Sequence, residues 1–363
     1  MNLEYIIQPV TFDVEQRREI ISFLYNFYKN GYQTENDWKK TLEFYWDKNP
    51  WSDNISPKGW ILRNNGKIVG FLGTIISQYT YNGENCYALS ATTWSVLKEH
   101  RKSSLQLLFE FIKCGEKYIL FNNTPSVVVE KILDKLKFKL NNNLDNYVFG
   151  IKNKGKLNIL NKIQNILSHK TLKAECKIFN EAIIDKVNGL PNYYQNHIIK
   201  NRTPAYLKWY CFHSMHDKQI VGCVDPSGTP TSYVILGIQK TNKIRLARVL
   251  DFYTRTDNFE EIVGIIKHIC DNPEEYIIKD CSFLVFSNYL SDRRLKKTLS
   301  FMFNIKLSSK FYLRLEENIL NKPVLSSLLK TYTAFSSKGY YLLPKELEHA
   351  DMINTMSDGD FLC

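Results

Sequence analysis

The stretch WILRNNGKIVGFLGTII, residues 60–76, decides the fold. Asn64-Asn65-Gly66-Lys67 separates two apolar runs, Trp60–Arg63 and Ile68–Ile76. An Asn-Gly pair supplies the positive φ angles of a tight turn, so the two runs predict an antiparallel hairpin. A second pair, Asn82-Gly83, leads into a further strand over Tyr87–Leu97. Downstream, Leu105–Ile112 reads as a helix, Tyr118–Phe121 as a short buried strand, Ser126–Leu136 as a helix and Tyr147–Gly150 as the last strand of this block. Upstream, residues 3–10 form a strand. Asp13 with Gln16 has the spacing of a capping box. Ile20, Ile21, Leu24, Phe27 and Tyr28 then recur at helical spacing, and a second helix covers Asp37–Trp46. The order predicts an α/β fold: a mixed sheet with helices on its faces, antiparallel in the middle and βαβ at the end.

Residues 203–345 repeat part of that order. Thr203–Tyr210 opens the block. Tyr233–Ile238, the turn Thr241-Asn242 and Ile244–Phe252 make a hairpin. Phe259–Cys270 reads as a helix, Cys281–Phe286 as a strand, Asp292–Leu299 as a helix and Phe311–Leu315 as a strand. The repetition lies in element order, and predicts two related domains. The expected organisation is a first domain over 1–150, a basic linker over 151–202, a second domain over 203–345 and a tail over 346–363. The linker carries lysines at 152, 154, 156, 162, 170 and 173 with no acid between them. Leu160, Ile163, Ile166 and Leu167 form an apolar stripe inside it, a pattern that suits an anionic membrane, a nucleic acid or docking on the protein body.

Composition bounds the function. The chain has 363 residues, 44% hydrophobic and 23% charged, which excludes wholesale disorder and fibrous repeats. No run of about 18 apolar residues is present, so no spanning helix is expected. The N-terminus meets acidic residues early, against a secretory signal. Eight cysteines lie far apart with no CxxC pair, which fits a reducing cytoplasm better than a disulfide scaffold. The surplus of 48 Lys+Arg over 37 Asp+Glu attracts anions without choosing among nucleic acid, lipid and phosphate-bearing cofactors. No Walker loop, zinc-protease helix, nucleophile elbow or dinucleotide fingerprint occurs. Cys211, His213 and His216 supply metal-ligating side chains at close range, but no fourth ligand has recognisable spacing, and no metal is expected.

Residues 60–138 resemble the GCN5-related N-acetyltransferase (GNAT) superfamily. Asn65–Gly73 is similar to its hairpin into the fourth strand. Trp94-Ser-Val-Leu-Lys-Glu-His-Arg101 is similar to the strand end before its pyrophosphate loop. Ile119–Thr124 is similar to the fifth strand, and Glu130–Phe138 to the closing Y-E-K-L-G-F. The chain departs from the family in that loop. Lys102, Ser104 and Gln106 stand at the three glycine positions, Leu133 replaces the frequent tyrosine acid, and Lys137 the closing glycine. A second resemblance, to tandem acetyltransferase-fold proteins of bacterial surface-polysaccharide biosynthesis, rests on Pro204–Tyr210, Leu250-Asp-Phe252 and Ser357–Leu362. Tyr210 stands there in place of an arginine.

The resemblance implies two tandem GNAT-like domains of the acyl-CoA N-acyltransferase fold. It implies acetyl-CoA or another acyl-CoA as donor, and as acceptor an amino or hydroxyl group on a sugar-nucleotide or lipid-linked sugar. The implied donor-binding residues are Val96 and Leu97, through their amides, Arg101, Lys102, Ser103, Ser104 and Leu105 at the helix start, and Asn122 at the end of the fifth strand. Free amides at a helix start hold a diphosphate, and a strand amide can stabilise the thioester oxyanion. Asp251, Asp358 and Asp360 are the implied acceptor-binding or catalytic carboxylates. Asp251 stands inside an apolar strand, where a carboxylate is costly unless it is paired or functional; a salt bridge to Arg248 or another cation is the alternative. His100 lies beside the loop, Trp94 in the strand core or a pocket wall, and Glu84 and Tyr87 on a hairpin near the expected acceptor cleft. The implied setting is cytoplasmic, with 152–173 as a candidate membrane contact. Two rival readings remain open: a Fem-type aminoacyl transferase using aminoacyl-tRNA, and a non-catalytic binding protein of the same fold.

Overall fold

The computed structural model describes residues 5–11, 13–29, 34–122, 127–141, 145–151, 176–187, 197–240, 245–255, 259–281, 283–288, 306–307, 339–347 and 351–353. The basic stretch 152–173, the turn at 241–242, the expected helix 292–299, the strand 311–315, and Asp358 and Asp360 lie outside these residues.

Strand β1 (Tyr5–Pro9) leads to helix α1 (Val14–Phe27), capped by the Asp13 side chain on the Gln16 amide. Helix α2 (Glu35–Leu42) starts at a complete capping box between Thr34 and Asp37, two residues before the expected start. It passes into a π turn (Glu43–Asp47) that buries Phe44, Tyr45 and Trp46 together. Strands β2 (Gly59–Asn64), β3 (Lys67–Tyr81) and β4 (Glu84–Val96) follow as an antiparallel meander. Both Asn-Gly turns have positive φ at each central residue, 49° and 77° at Asn65-Gly66 and 49° and 86° at Asn82-Gly83, as the hairpins require. A 3-10 turn (Lys98–Ser103) enters α3 (Ser104–Lys113), then β5 (Ile119–Asn122), α4 (Val127–Lys135) and β6 (Lys139–Asn141).

Along the rest of the chain come β7 (Asp145–Gly150), β8 (Lys177–Ile178), the short α5 (Glu181–Ile184), β9 (His197–Lys200), α6 (Pro204–Phe212), β10 (Lys218–Val224), β11 (Pro230–Lys240) and β12 (Arg245–Thr254). Helix α7 (Phe259–Asp271), β13 (Phe283–Asn288), β14 (Lys306–Leu307), β15 (Gly339–Leu342) and β16 (Asp351–Ile353) complete the described elements.

Two mixed sheets result. The first runs β1-β2-β3-β4-β5-β15-β6, with β9 against β3 and β16 against β9; the second runs β14-β7-β13-β12-β11-β10-β8. Each has one parallel pair on its main path, β4 with β5 and β12 with β13. The repeat seen in element order is therefore a repeat of sheet topology. One expectation is corrected. Strand 145–150 does not close the first block: it pairs with β13 and β14 of the second sheet. Its place beside β5 and β6 is taken by β15, from far down the chain. Local patterning identifies a strand but not its partner, and here each sheet is completed by a strand from the other half.

The strands alternate between two cores. In the first sheet Leu62, Leu72, Ile76 and Leu89 pack under Leu107, Leu108 and Phe111 of α3. Ile61, Phe71 and Ile75 face the other way, into a cluster with α1, α2 and the π turn. That cluster also contains Tyr206, Leu207, Trp209 and Tyr210 of α6, and Tyr233, Leu250 and Tyr253 of the second sheet. The two halves thus share one core. Trp209 stacks on Phe44 at 4.6 Å and 12° and donates from Nε1 to the Phe44 carbonyl at 2.8 Å. Trp51 stacks on Tyr206 at 5.2 Å. The apolar motif Pro204–Tyr210 is accordingly an inter-half helix. The second sheet's opposite face packs Val221, Val234, Leu236 and Val249 under α7. No helix among the described residues is long and apolar enough to cross a membrane.

Candidate functional site

The first sheet opens between β4 and β5. Their parallel register runs from Ala88 against Ile119 to Ser90 against Phe121, while β4 continues to Val96. Beyond Ser90 the two strands part. A bulge lies in this free stretch: Phe71 pairs with Ser95 and Gly73 with Thr92, leaving an extra residue on β4. Thr93 absorbs it with φ of 48°, an unusual angle for a β-branched residue. Gly73 makes room for it, since a Cβ there would lie 3.0 Å from the Phe71 ring and 3.1 Å from Thr93 Oγ1. Bulges redirect side chains and end pairing, and recur beside functional sites.

Several groups at this opening have unused hydrogen-bonding capacity. The Thr93 hydroxyl and the Trp94 indole N–H are buried and meet no partner. Such groups are costly unless a water or ligand completes them. Leu97, expected to offer its amide, donates it to the Val69 carbonyl at 2.9 Å. That expectation is corrected by ordinary ladder bonding. Amides alternate in direction along a strand, so the Val96 amide points away from β3, toward the side that β5 has left. Asn122, buried, ends β5 at the parting.

The loop that follows is basic and tightly wound. Lys98, Arg101 and Lys102 are exposed around Glu99. Without glycines the chain coils into the 3-10 turn, and the Ser104 amide bonds to the Arg101 carbonyl. The helix start is thus less open than a glycine loop would make it. Ser103 is buried at the α3 N-cap and makes no side-chain cap bond; Leu105 is exposed. The first turn of α3 holds no acidic residue. His100 is engaged by Tyr5 of β1, with Nδ1 and the hydroxyl 3.0 Å apart. On the opposite face of β4 the Ser95 hydroxyl meets Tyr28 at 2.8 Å, and Tyr28 stacks on Trp38. Glu84 and Tyr87 belong to the far end of β4, with Val96 roughly 30 Å away along the strand from Tyr87, so they do not line this opening.

The second sheet repeats the splay with different chemistry. Pairing of β12 with β13 reaches Val249 against Phe286, and a bulge at Leu250 follows at once. Asp251 comes next, and it is enclosed. Its Oδ1 accepts from Arg202 Nη2 at 2.7 Å and the Phe252 amide at 2.8 Å, and its Oδ2 from Arg202 Nε at 2.7 Å. Arg202 also donates to the Lys200 carbonyl. The partner is thus Arg202, while Arg248 donates to Gln239. Nearby Tyr233 is fully buried, its hydroxyl unpartnered and its pKa raised by burial. Burial also pushes the Cys211 thiol up to about 12. His213 and His216 are exposed, and among the described residues no group of three metal-ligating side chains forms. Helix α7, which follows this splay, begins with Glu260 and Glu261.

That contrast separates the two openings. Carboxylates at a helix start repel an anion, whereas a basic turn and an acid-free helix start attract one. Among the described residues, charge thus favours an anion at the first opening and opposes one at the second. The bulge was not read from sequence, although Gly73 inside an apolar strand was an available signal, and the ion pair at Asp251 was read only as Arg248 or another cation.

Comparison with known proteins supports the fold. No protein-family model matches the chain, and no curated protein matches it. Among solved structures, a GCN5-related N-acetyltransferase from Anabaena variabilis aligns over 84% of this chain and 71% of its own, with 10% identity and a TM-score of 0.52. A conserved protein of unknown function from Enterococcus faecalis, described as a probable N-acyltransferase, aligns over 78% of this chain and 65% of its own, with 10% identity and a TM-score of 0.51. An N-myristoyltransferase from Saccharomyces cerevisiae with bound myristoyl-CoA aligns over 83% and 81%, with 11% identity and a TM-score of 0.49. The mixed α/β fold expected from residues 60–138 is the fold of the first two.

Proposed function

We propose that this chain is an acyltransferase that takes an acyl group from acyl-CoA at the opening between β4 and β5. The observation that carries the reading is the splayed, bulged β4 followed by a basic turn and an α3 whose first turn has no acid, in a fold shared with an N-acetyltransferase. In this reading Arg101 and Lys102 neutralise the diphosphate of coenzyme A. The Val96 amide donates to the thioester oxygen and strengthens that bond as negative charge develops there. The Trp94 indole N–H and the Thr93 hydroxyl, both unpartnered, complete the amide-bearing arm or the acyl group. An acceptor amine or hydroxyl attacks the thioester carbonyl directly, and coenzyme A leaves as the thiol.

The acceptor we propose is a sugar-nucleotide or lipid-linked sugar of surface-polysaccharide synthesis. Support comes from the resemblance of Pro204–Tyr210, Leu250–Phe252 and Ser357–Leu362 to tandem proteins of that type. Asp358 and Asp360 remain the proposed acceptor ligands. Asp251 is assigned a positioning role: with both oxygens taken by Arg202, it holds the second splay rather than accepting a proton.

The test is release of free coenzyme A, followed by a thiol reagent, with acetyl-CoA and a panel of amino-sugar nucleotides. Release that depends on an acceptor supports the reading. Intact acyl-CoA across acetyl and longer chains, with every acceptor, removes it in favour of a binding protein or an aminoacyl transferase.

A further inference from the structure

Eight scattered cysteines gave no pairing in the sequence, yet the second sheet brings two of them together. Strand β8 lies against β10 in antiparallel register, Ile178 opposite Val221 and Lys177 opposite Gly222. One step further that register sets Cys176 opposite Cys223. Both side chains pack against the core under α7, on the face shared with Val221. Both are half-buried and free, and a hydrogen bond links their sulfurs. Directly opposed residues of an antiparallel pair have Cβ atoms about 4.5–5.5 Å apart, and a disulfide needs about 3.5–4.5 Å. A small approach of one strand closes that gap. Strand β8 is two residues long and sits at the sheet edge, so it can move without breaking a central ladder.

We propose that Cys176 and Cys223 are an oxidisable dithiol, joined by a disulfide under hydrogen peroxide and thereby stapling edge strand β8 to β10. One of the two sulfurs attacks a peroxide oxygen, the O–O bond breaks and water leaves, giving a sulfenic acid. The other sulfur then attacks the sulfenic sulfur, the S–O bond breaks and a second water leaves. Two thiols are oxidised and one peroxide is reduced to two waters. The hydrogen bond with Cys176 favours the Cys223 thiolate, against burial and Glu261. By contrast, burial raises the thiols of Cys86, Cys114, Cys211, Cys270 and Cys281. The crosslink closes the segment that carries β9, Arg202 and α6, so oxidation tightens the hold of the shared core.

The experiment treats the full chain with hydrogen peroxide, counts thiols in denaturant, maps peptides without reduction and records thermal unfolding. The expected result is loss of two thiols, one peptide joining Cys176 to Cys223, a higher midpoint, and reversal by dithiothreitol. In Cys176→Ser the crosslinked peptide should vanish and the midpoint should no longer respond. Thiol loss without that peptide, crosslinking of other cysteines, or no thiol loss overturns the proposal. A crosslink that leaves the midpoint unchanged overturns its stapling role.

Discussion

Replacing Arg202 by alanine is expected to destabilise the protein by about 3–5 kcal/mol, the usual cost of leaving one member of a buried ion pair uncompensated. Asp251 is 1% exposed and Arg202 3% exposed, so water cannot take over the missing bonds. Asp251→Ala is expected to do similar harm by stranding the guanidinium. The pair itself is not a net source of that much stability, because burying both charges has already cost several kcal/mol per ion. Arg202→Met combined with Asp251→Leu should therefore recover most of the loss. Denaturant unfolding of the four proteins decides the matter. Single variants within about 1 kcal/mol of wild type would show a pair that behaves as a solvated surface bridge, and would reopen a proton-transfer role for Asp251.

The second large effect is expected at the seam between the halves. Trp209→Ala should cost about 3–5 kcal/mol, as for a large aromatic removed from a packed core. It deletes the stack on Phe44, the edge contact with Trp51 and the indole bond to the Phe44 carbonyl. These contacts join α6 to the π turn, so the loss should uncouple the halves as well as weaken them. Wild type should unfold in one transition, whereas Trp209→Ala should give a broadened or split one when first-half and second-half probes are compared. A single sharp transition with little loss of stability would mean that the strand exchange through β7 and β15 holds the halves together without the aromatic seam.

Much of this architecture can be read from short-range signals. Both Asn-Gly hairpins, the apolar α3 and the period-two strands follow from turn chemistry and alternation, which act within a few residues. The exchange of β7 and β15 does not, because nothing in Asn146–Gly150 distinguishes one sheet edge from another. The site divides in the same way. Val96, Arg101 and Asn122 come to the parting of β4 and β5 because their spacing along the strand–loop–helix unit is local. The Leu97 amide is lost to Val69 through cross-strand pairing. Asp251 finds Arg202 rather than the nearer Arg248, since alternation and the bulge at Leu250 decide which face each side chain takes. The Cys176–Cys223 contact depends on the register of an edge strand, invisible from composition. Gly73 carried more information than its apolar surroundings suggested, because a strand glycine commonly marks close approach or a bulge.

Under the proposed function the donor diphosphate binds at the first opening and not the second. The most direct test is calorimetric titration of acetyl-CoA into wild type, Arg101→Ala and Arg255→Ala, the last being the basic residue that follows the second splay. Wild type should bind saturably, and Arg101→Ala about tenfold more weakly, in line with loss of one charge-assisted contact. Arg255→Ala, whose arginine pairs with Asp225 at 2.9 Å, should bind as wild type does. Binding weakened by the Arg255 substitution and indifferent to Arg101, or no binding at all, would contradict that function.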